Sequence, residues 1–222
     1  MIENLLETIR VELLGQEAYI FNFDSHYQRL EKSINELKFK NRNDLYLLLM
    51  NQIKNLVQYE LKSSVKFINE LKSFAGKRFK LRLIYQIDGN FKINLEDYQR
   101  DLNKTWQIKI SDDFFIDHRE QKWKHKFFPR NKLEYNNCDE VIWLNDLGQI
   151  CEGSFTNIFF LDKNNYWHTP CLESNILPGT TRNSLINDLN AKQGFYYKED
   201  LIEAKEILVS NSMIICQKAN LL

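Results

Sequence analysis

Two short segments of this 222-residue chain carry residue types suited to holding a charged, phosphorylated ring. The first is Glu152-Gly153-Ser154-Phe155-Thr156-Asn157-Ile158-Phe159-Phe160, a carboxylate just ahead of a strand-like apolar run. The second, Ile176-Leu177-Pro178-Gly179-Thr180-Thr181-Arg182, is a Pro-Gly turn whose threonines open an amphipathic stretch. A carboxylate can accept a hydrogen bond from a protonated ring nitrogen. Unpaired N–H groups and the positive dipole end of a helix start can hold a phosphate. On the residues alone, Pro178-Gly179 could equally be an ordinary entry into a helix, and Glu152 a surface carboxylate after the Asp146-Leu147-Gly148 turn.

The elements that must position these segments read as a mixture of strands and helices, which argues an α+β fold in two lobes. Leu5 to Glu12 reads as a buried strand that turns at Gly15. Ser25, with Gln28 three residues on, has the form of a capping box ahead of Leu30, Ile34 and Leu37 at helical spacing. A second helix starts at Asn43-Asp44 and runs through Val57; a third is expected from Val65 to Phe74, stopping at Gly76. Phe79, Leu81, Leu83 and Tyr85 alternate as a strand, and Asp88-Gly89 is a hairpin turn into Phe91 and Ile93. Trp106, Ile108 and Ile110 form another strand. Asp112 to Gln121 is charged without periodicity, and the domain boundary is placed there, giving lobes 1–111 and 112–222. Further strands are expected near Val141–Leu144, Ile158–Leu161 and Ile207–Ser210, with helices near Arg182–Gln193 and Asp200–Ala204.

Composition narrows the partners. Thirty basic and thirty acidic side chains cancel, so no global field draws the chain to nucleic acid or a membrane surface. A basic stretch from Arg119 to Lys132, interleaved with Trp123, Phe127 and Phe128, could stack on single-stranded nucleic acid, but one short patch on a neutral chain argues against it. The four cysteines lack metal or disulfide spacing, and His26, His118, His125 and His168 are too scattered to propose a metal site. With no leader pattern and no apolar run of bilayer length, a reduced cytosolic setting is expected.

Taken in this order, the Glu152 and Leu177-Pro178-Gly179-Thr180-Thr181-Arg182 segments resemble the class IV pyridoxal-phosphate (PLP) family, which includes branched-chain and D-amino acid aminotransferases and aminodeoxychorismate lyase. His125-Lys126-Phe127-Phe128-Pro129-Arg130 is similar to the His-Lys-Thr-Thr-x-Arg stretch of its lyase-like members, notably the domain fused to aminodeoxychorismate synthase. Phe127-Phe128 replaces the Thr-Thr of that stretch. Glu7-Thr8-Ile9-Arg10, His26-Tyr27-Gln28-Arg29-Leu30 and Asn211-Ser212 resemble further family segments.

The resemblance implies a PLP cofactor. Lys126 would join its aldehyde, in the C-terminal lobe, and Glu152 would hold its ring nitrogen. Arg29, Gly179, Thr180, Thr181, Asn211 and Ser212 would take its phosphate, and Asn157 would support the loop. Thr8 is a weaker catalytic candidate, His26 a structural hydrogen-bonding residue, and Arg10 and Arg82 are weakly supported contacts for substrate carboxylates. The implied activity is aminodeoxychorismate lyase on a small-molecule substrate, in a homodimer, with a functional link to the synthase. The rivals are a branched-chain or D-amino acid aminotransferase and, from another class, a non-catalytic or nucleic-acid-binding protein.

Overall fold

A computed structural model of the chain describes residues 2–69, 74, 76–99, 101, 103–128 and 137–222, with backbone only at 112–114. The chain forms two compact units, Met1–Arg100 with Lys126–Pro129, and Asp101–His125 with Arg130–Leu222.

The first unit is a five-stranded sheet in the order β3-β2-β1-β4-β5, with two helices. Strands β1 (Asn4–Leu14) and β2 (Glu17–Phe21) form a hairpin across Gly15, whose φ of 60° suits a residue without Cβ. Helices α1 (Phe23–Glu36) and α2 (Leu45–Leu61) lead to β3 (Ser64–Ile68), which lies parallel to β2. The meander then closes with β4 (Lys77–Gln86) and β5 (Phe91–Asp97). Alternation along β1 buries Leu5, Ile9 and Val11 in one core with Leu30 and Ile34 of α1 and Leu49, Ile53 and Val57 of α2. Glu7 shares their parity in the strand, while Thr8, Arg10 and Glu12 have the opposite one.

Three expectations are corrected here. Helix α1 begins before Ser25, capped by Asn22 in the left-handed region with no side-chain bond, so the Ser25–Gln28 capping box does not form. The helix expected from Val65 is strand β3: pairing with the buried strand β2 outweighs a local apolar spacing that fits either period. The part of that span at 70–73 lies outside the described residues. The cut at 111/112 falls inside a continuous strand, β6 (Trp106–Ile116), which belongs wholly to the second unit, whereas Lys126 groups with the first.

The second unit is an eight-stranded sheet in the order β11-β10-β9-β12-β13-β6-β7-β8. Its remaining strands are β7 (Glu140–Asn145), β8 (Ile150–Gly153), β9 (Asn157–Leu161), β10 (Trp167–Pro170), β11 (Lys192–Gly194), β12 (Glu206–Ser210) and β13 (Gln217–Leu221). Every residue of β7 is buried, which explains its unbroken apolar run. Helix α3 (Arg182–Leu189) packs Leu185 against Phe159 of β9 and Leu208 of β12; α4 (Lys198–Ile202) precedes β12. Among the described residues no helix is long and apolar enough to cross a membrane.

The core of the first unit sets a stability test. Ile9→Ala, at a fully buried position, is expected to cost about 2–5 kcal/mol through lost burial and the cavity left behind. Leu14→Ala, at the exposed end of the same strand, should stay within about 0.5 kcal/mol. Urea midpoints of the two variants check this contrast.

Candidate active site

In the second unit the two segments singled out in the sequence meet around one carboxylate. Glu152 in β8 is only 2% exposed, and its Oε2 accepts the Leu177 N–H at 3.0 Å and Asn157 Nδ2–H at 3.3 Å. Asn157 Nδ2 also donates to the Leu177 carbonyl at 3.1 Å. The amide thus serves as a strut between strand and turn. Gly179 lies so close that a Cβ there would come within 1.9 Å of Asn157 Oδ1. No other residue fits without displacing the strut.

Two residues beyond Gly179, Thr181 stands at the N-terminus of α3, with Thr180 between them. Thr181 is 2% exposed, and its Oγ1 has no hydrogen-bond partner among the described residues. A buried, unpaired hydroxyl beside the open N–H groups of a helix start is a cradle suited to an anion. Arg182, the first helical residue, faces inward instead. Its Nη2 donates to the Pro170 carbonyl at 2.6 Å and Gln193 Oε1 at 2.9 Å, bracing α3 against β10 and β11.

Asn211 follows β12, and its side chain is already committed. Its Oδ1 accepts the Met213 and Ile214 N–H groups at 2.8 and 3.1 Å, and its Nδ2 donates to the Phe155 carbonyl at 3.1 Å. It therefore shapes the turn that contains Ser212.

Sequence reasoning missed Glu140. This fully buried carboxylate accepts Ser154 Oγ–H at 2.6 Å, Thr156 Oγ1–H at 2.8 Å, and the N–H groups of Val141, Ser154 and Phe155. Burial pushes its carboxyl above the usual range, and these hydrogen bonds pull the other way. A Cβ on Gly153 would lie 2.7 Å from Glu140. The available signal was an acid, second of the pair Asp139-Glu140, opening the apolar run Val141-Ile142-Trp143-Leu144.

The first unit holds a second constellation. The Arg29 guanidinium forks onto Glu7, Nε to Oε1 at 2.9 Å and Nη2 to Oε2 at 2.5 Å. Glu7 Oε2 also accepts His26 Nδ1–H at 2.6 Å. Burial alone would raise the Glu7 carboxyl, but Arg29 and His26 overcome it and hold the pKa at about 2. Burial, aided by the charges of Arg29 and Lys126, lowers His26 to about 4 despite Glu7. At neutral pH Glu7 is therefore ionised and His26 neutral, a hydrogen-bonding partner of the carboxylate.

Lys126 enters this unit through backbone bonds to β1. Its carbonyl accepts the Leu6 N–H at 2.7 Å, and Phe127 bridges Leu5. That register sets Lys126 opposite Leu6, two residues from Thr8. Thr8 is paired with Arg82 across β1 and β4, and Arg82 is 36% exposed beside Glu96. Arg10, by contrast, is 1% exposed, bonded to Glu12 at 2.9 Å and stacked 3.8 Å over Phe21. A guanidinium so enclosed is a brace rather than a contact for substrate.

Among the described residues one trio, Asp117, His118 and Asp146, groups metal-ligating atoms within 4.8 Å of one another. Arg119 already forks onto Asp117, and His118 bonds Asp146 directly. Within the described part of the basic stretch, Arg119 pairs with Asp117 and Lys122 with Glu120. Residues 129–136 of that stretch, Arg130 and Lys132 included, lie outside the described residues.

The model of the class IV amino-transferases matches residues 4–220, and the chain belongs to that family. A candidate amino-acid aminotransferase from Mesorhizobium loti is 25% identical, with 99% of each chain covered and a TM-score of 0.77. A candidate 4-amino-4-deoxychorismate lyase from Legionella pneumophila is 18% identical over all of this chain and 83% of its own, with a TM-score of 0.80. The PLP form of a branched-chain aminotransferase from Thermobaculum terrenum is 18% identical over 98% of this chain and 76% of its own, with a TM-score of 0.77. At 18% identity the last two likenesses show the fold alone.

Two tests follow. Between pH 6.5 and about 4 the unfolded chain binds a proton at His26 that the folded chain refuses, so stability falls as pH drops through that window. Glu7 adds a loss between pH 4.5 and about 2. Urea midpoints against pH should show this slope, at most about 1.4 kcal/mol per pH unit from one group. His26→Gln should flatten the upper window; an unchanged slope would sink the assignment. Separately, Gly179→Ala should lower the thermal midpoint by forcing Asn157 off Glu152, whereas Gly148→Ala meets no neighbouring atom and is strained only by its φ of 75°.

Proposed function

We propose that the protein is a PLP-dependent enzyme whose reaction converts 4-amino-4-deoxychorismate to 4-aminobenzoate and pyruvate. The observation that carries the cofactor reading is the Glu152–Asn157–Leu177 knot beside the unpaired Thr181 hydroxyl at the start of α3. It offers a fixed carboxylate for a ring nitrogen and an anion cradle for a phosphate. When bound, the cofactor supplies a cationic ring that draws electrons from the substrate carbon next to nitrogen.

Glu152 would accept a hydrogen bond from the ring nitrogen. Thr181 Oγ1 and the N–H groups from Gly179 to Thr181 would hold the phosphate, with the turn at Asn211-Ser212 as a further donor; by the family resemblance Arg29 would be another. By the same resemblance Lys126 would anchor the cofactor through Nζ, and that atom would take a proton from the substrate ring and later return one. Thr8 orients the substrate, and Arg82 is the better placed of the two arginines to meet a carboxylate. Homodimerisation and a cytosolic setting belong to this reading; four free thiols are in keeping with the latter.

The lyase is preferred on the likeness of His125-Lys126 with Arg130, Glu7-Thr8 and Asn211-Ser212 to fused lyase domains. The second reading, an amino-acid aminotransferase, is favoured by Phe127-Phe128 and by the Mesorhizobium loti relative. Incubation with aminodeoxychorismate alone should yield 4-aminobenzoate over many turnovers, because a lyase needs no keto-acid acceptor. A single-turnover conversion of the cofactor by leucine, glutamate or D-alanine, with no 4-aminobenzoate, would move the assignment to the aminotransferase. Borohydride reduction and peptide mapping should label Lys126, and Lys126→Ala should abolish the label; a mark on Lys122 or Lys124 would refute the anchor. Glu152→Gln should retain cofactor and lose at least about a hundredfold in turnover, since a neutral amide no longer favours the protonated ring nitrogen.

A further inference from the structure

Ser210 ends strand β12 and is fully buried, and its Oγ has no hydrogen-bond partner among the described residues. Serine at a strand end ordinarily returns its hydroxyl to a nearby carbonyl or to water. Among the described residues no carbonyl meets this one, which leaves a buried hydroxyl to be satisfied by something else.

Its place in the sheet points to a ligand. Register pairs Ser210 with Asn157 and, two residues back, Leu208 with Phe159. Leu208 and Phe159 pack against Leu185 of α3, so the pleat puts Ser210 and Asn157 on the α3 face as well. Asn157 Oδ1 abuts Gly179, at the entry to α3, where Thr181 carries the second unpaired buried hydroxyl. The turn that Asn211 closes starts at the next residue of the chain. Ser210 therefore lies on the sheet face that carries the entry to α3, where Thr181 brings the second unpaired hydroxyl to the helix start. Two buried hydroxyls on the side of a helix N-terminus call for an acceptor rich in oxygen and negative charge.

We infer that Ser210 is a further phosphate ligand of this chain, its hydroxyl and that of Thr181 gripping the same anion from strand and helix. The inference rests on the PLP reading and adds a residue to it.

The test compares pyridoxal 5'-phosphate, pyridoxal and inorganic phosphate on wild type and Ser210→Ala, by fluorescence titration, with thermal midpoints of the cofactor-free proteins. Loss of a hydrogen bond to a charged group should weaken pyridoxal 5'-phosphate about tenfold and inorganic phosphate in the same sense. Pyridoxal, which lacks the phosphate, should bind both proteins within about twofold on the same reasoning. The cofactor-free variant should melt at the same temperature or higher, because the mutation removes an unpaired buried hydroxyl. A purely structural serine would instead lower the melting temperature and leave the two vitamers equally affected.

Equal pyridoxal 5'-phosphate affinity in variant and wild type would overturn the inference while leaving the cofactor reading intact. Equal weakening of both vitamers would place the hydroxyl at the ring and overturn it too, as would a destabilised cofactor-free variant. Wild type that binds none of the three probes would overturn the cofactor reading and the inference together.

Discussion

The geometry of the second unit hangs on the burial of Glu140. A carboxylate out of water must be met by donors, and here five come from three consecutive residues after β8 and from its own neighbour Val141. Meeting that demand folds Ser154, Phe155 and Thr156 into a tight crossing between β8 and β9. Glu152 stands at one end of the crossing and Asn157 at the other. Their distance is thus set before either touches a ligand, and the Leu177 N–H only completes an arrangement that Glu140 has imposed. The small size of Gly153 and Gly179 belongs to the same constraint, since each lies where a side chain would strike a polar anchor.

The two units handle charge differently. The first encloses whole charges, Glu7 with Arg29 and Glu12 with Arg10, each compensated by a partner within 3 Å. Removing one member of such a pair strands the other, at a cost of about 3–5 kcal/mol. The second unit meets its buried carboxylates, Glu140 and Glu152, with N–H groups, hydroxyls and the Asn157 amide.

Legibility in the sequence followed the range of the interactions involved. The β1 strand, its Gly15 turn, the Asp88-Gly89 hairpin and helix α2 depend on near neighbours and were readable as such. Strand β3 was not, because Val65 and Phe67 acquire their meaning only from pairing with β2. The Ser25 pattern misled for the opposite reason: it was locally sound, yet Asn22 starts the helix one turn earlier. Glu152 and the Gly179-Thr181 entry were found by motif, but the bond joining them runs 25 residues along the chain and left no local trace. Lys126 was named from its neighbours His125 and Arg130, while its membership of the first unit comes from backbone bonds to Leu6. Ser210 could not have been singled out, since a serine declares itself only by what its hydroxyl fails to meet.

Strand β13 has a consequence for how the protein is made. It is the single strand joining β6, β7 and β8 to β9, β10, β11 and β12 in the sheet order, antiparallel to β12 and parallel to β6. All of β6 to β12 precede in the chain the element that stitches them together. Until β13 docks, β6 and β12 have unpaired edges, the kind of surface that recruits chaperones or pairs with a neighbouring chain. The first unit, whose sheet draws all five of its strands from the opening hundred residues, has no such delay. A chain cut short before Gln217 would therefore leave the sheet of the second unit in two unjoined halves.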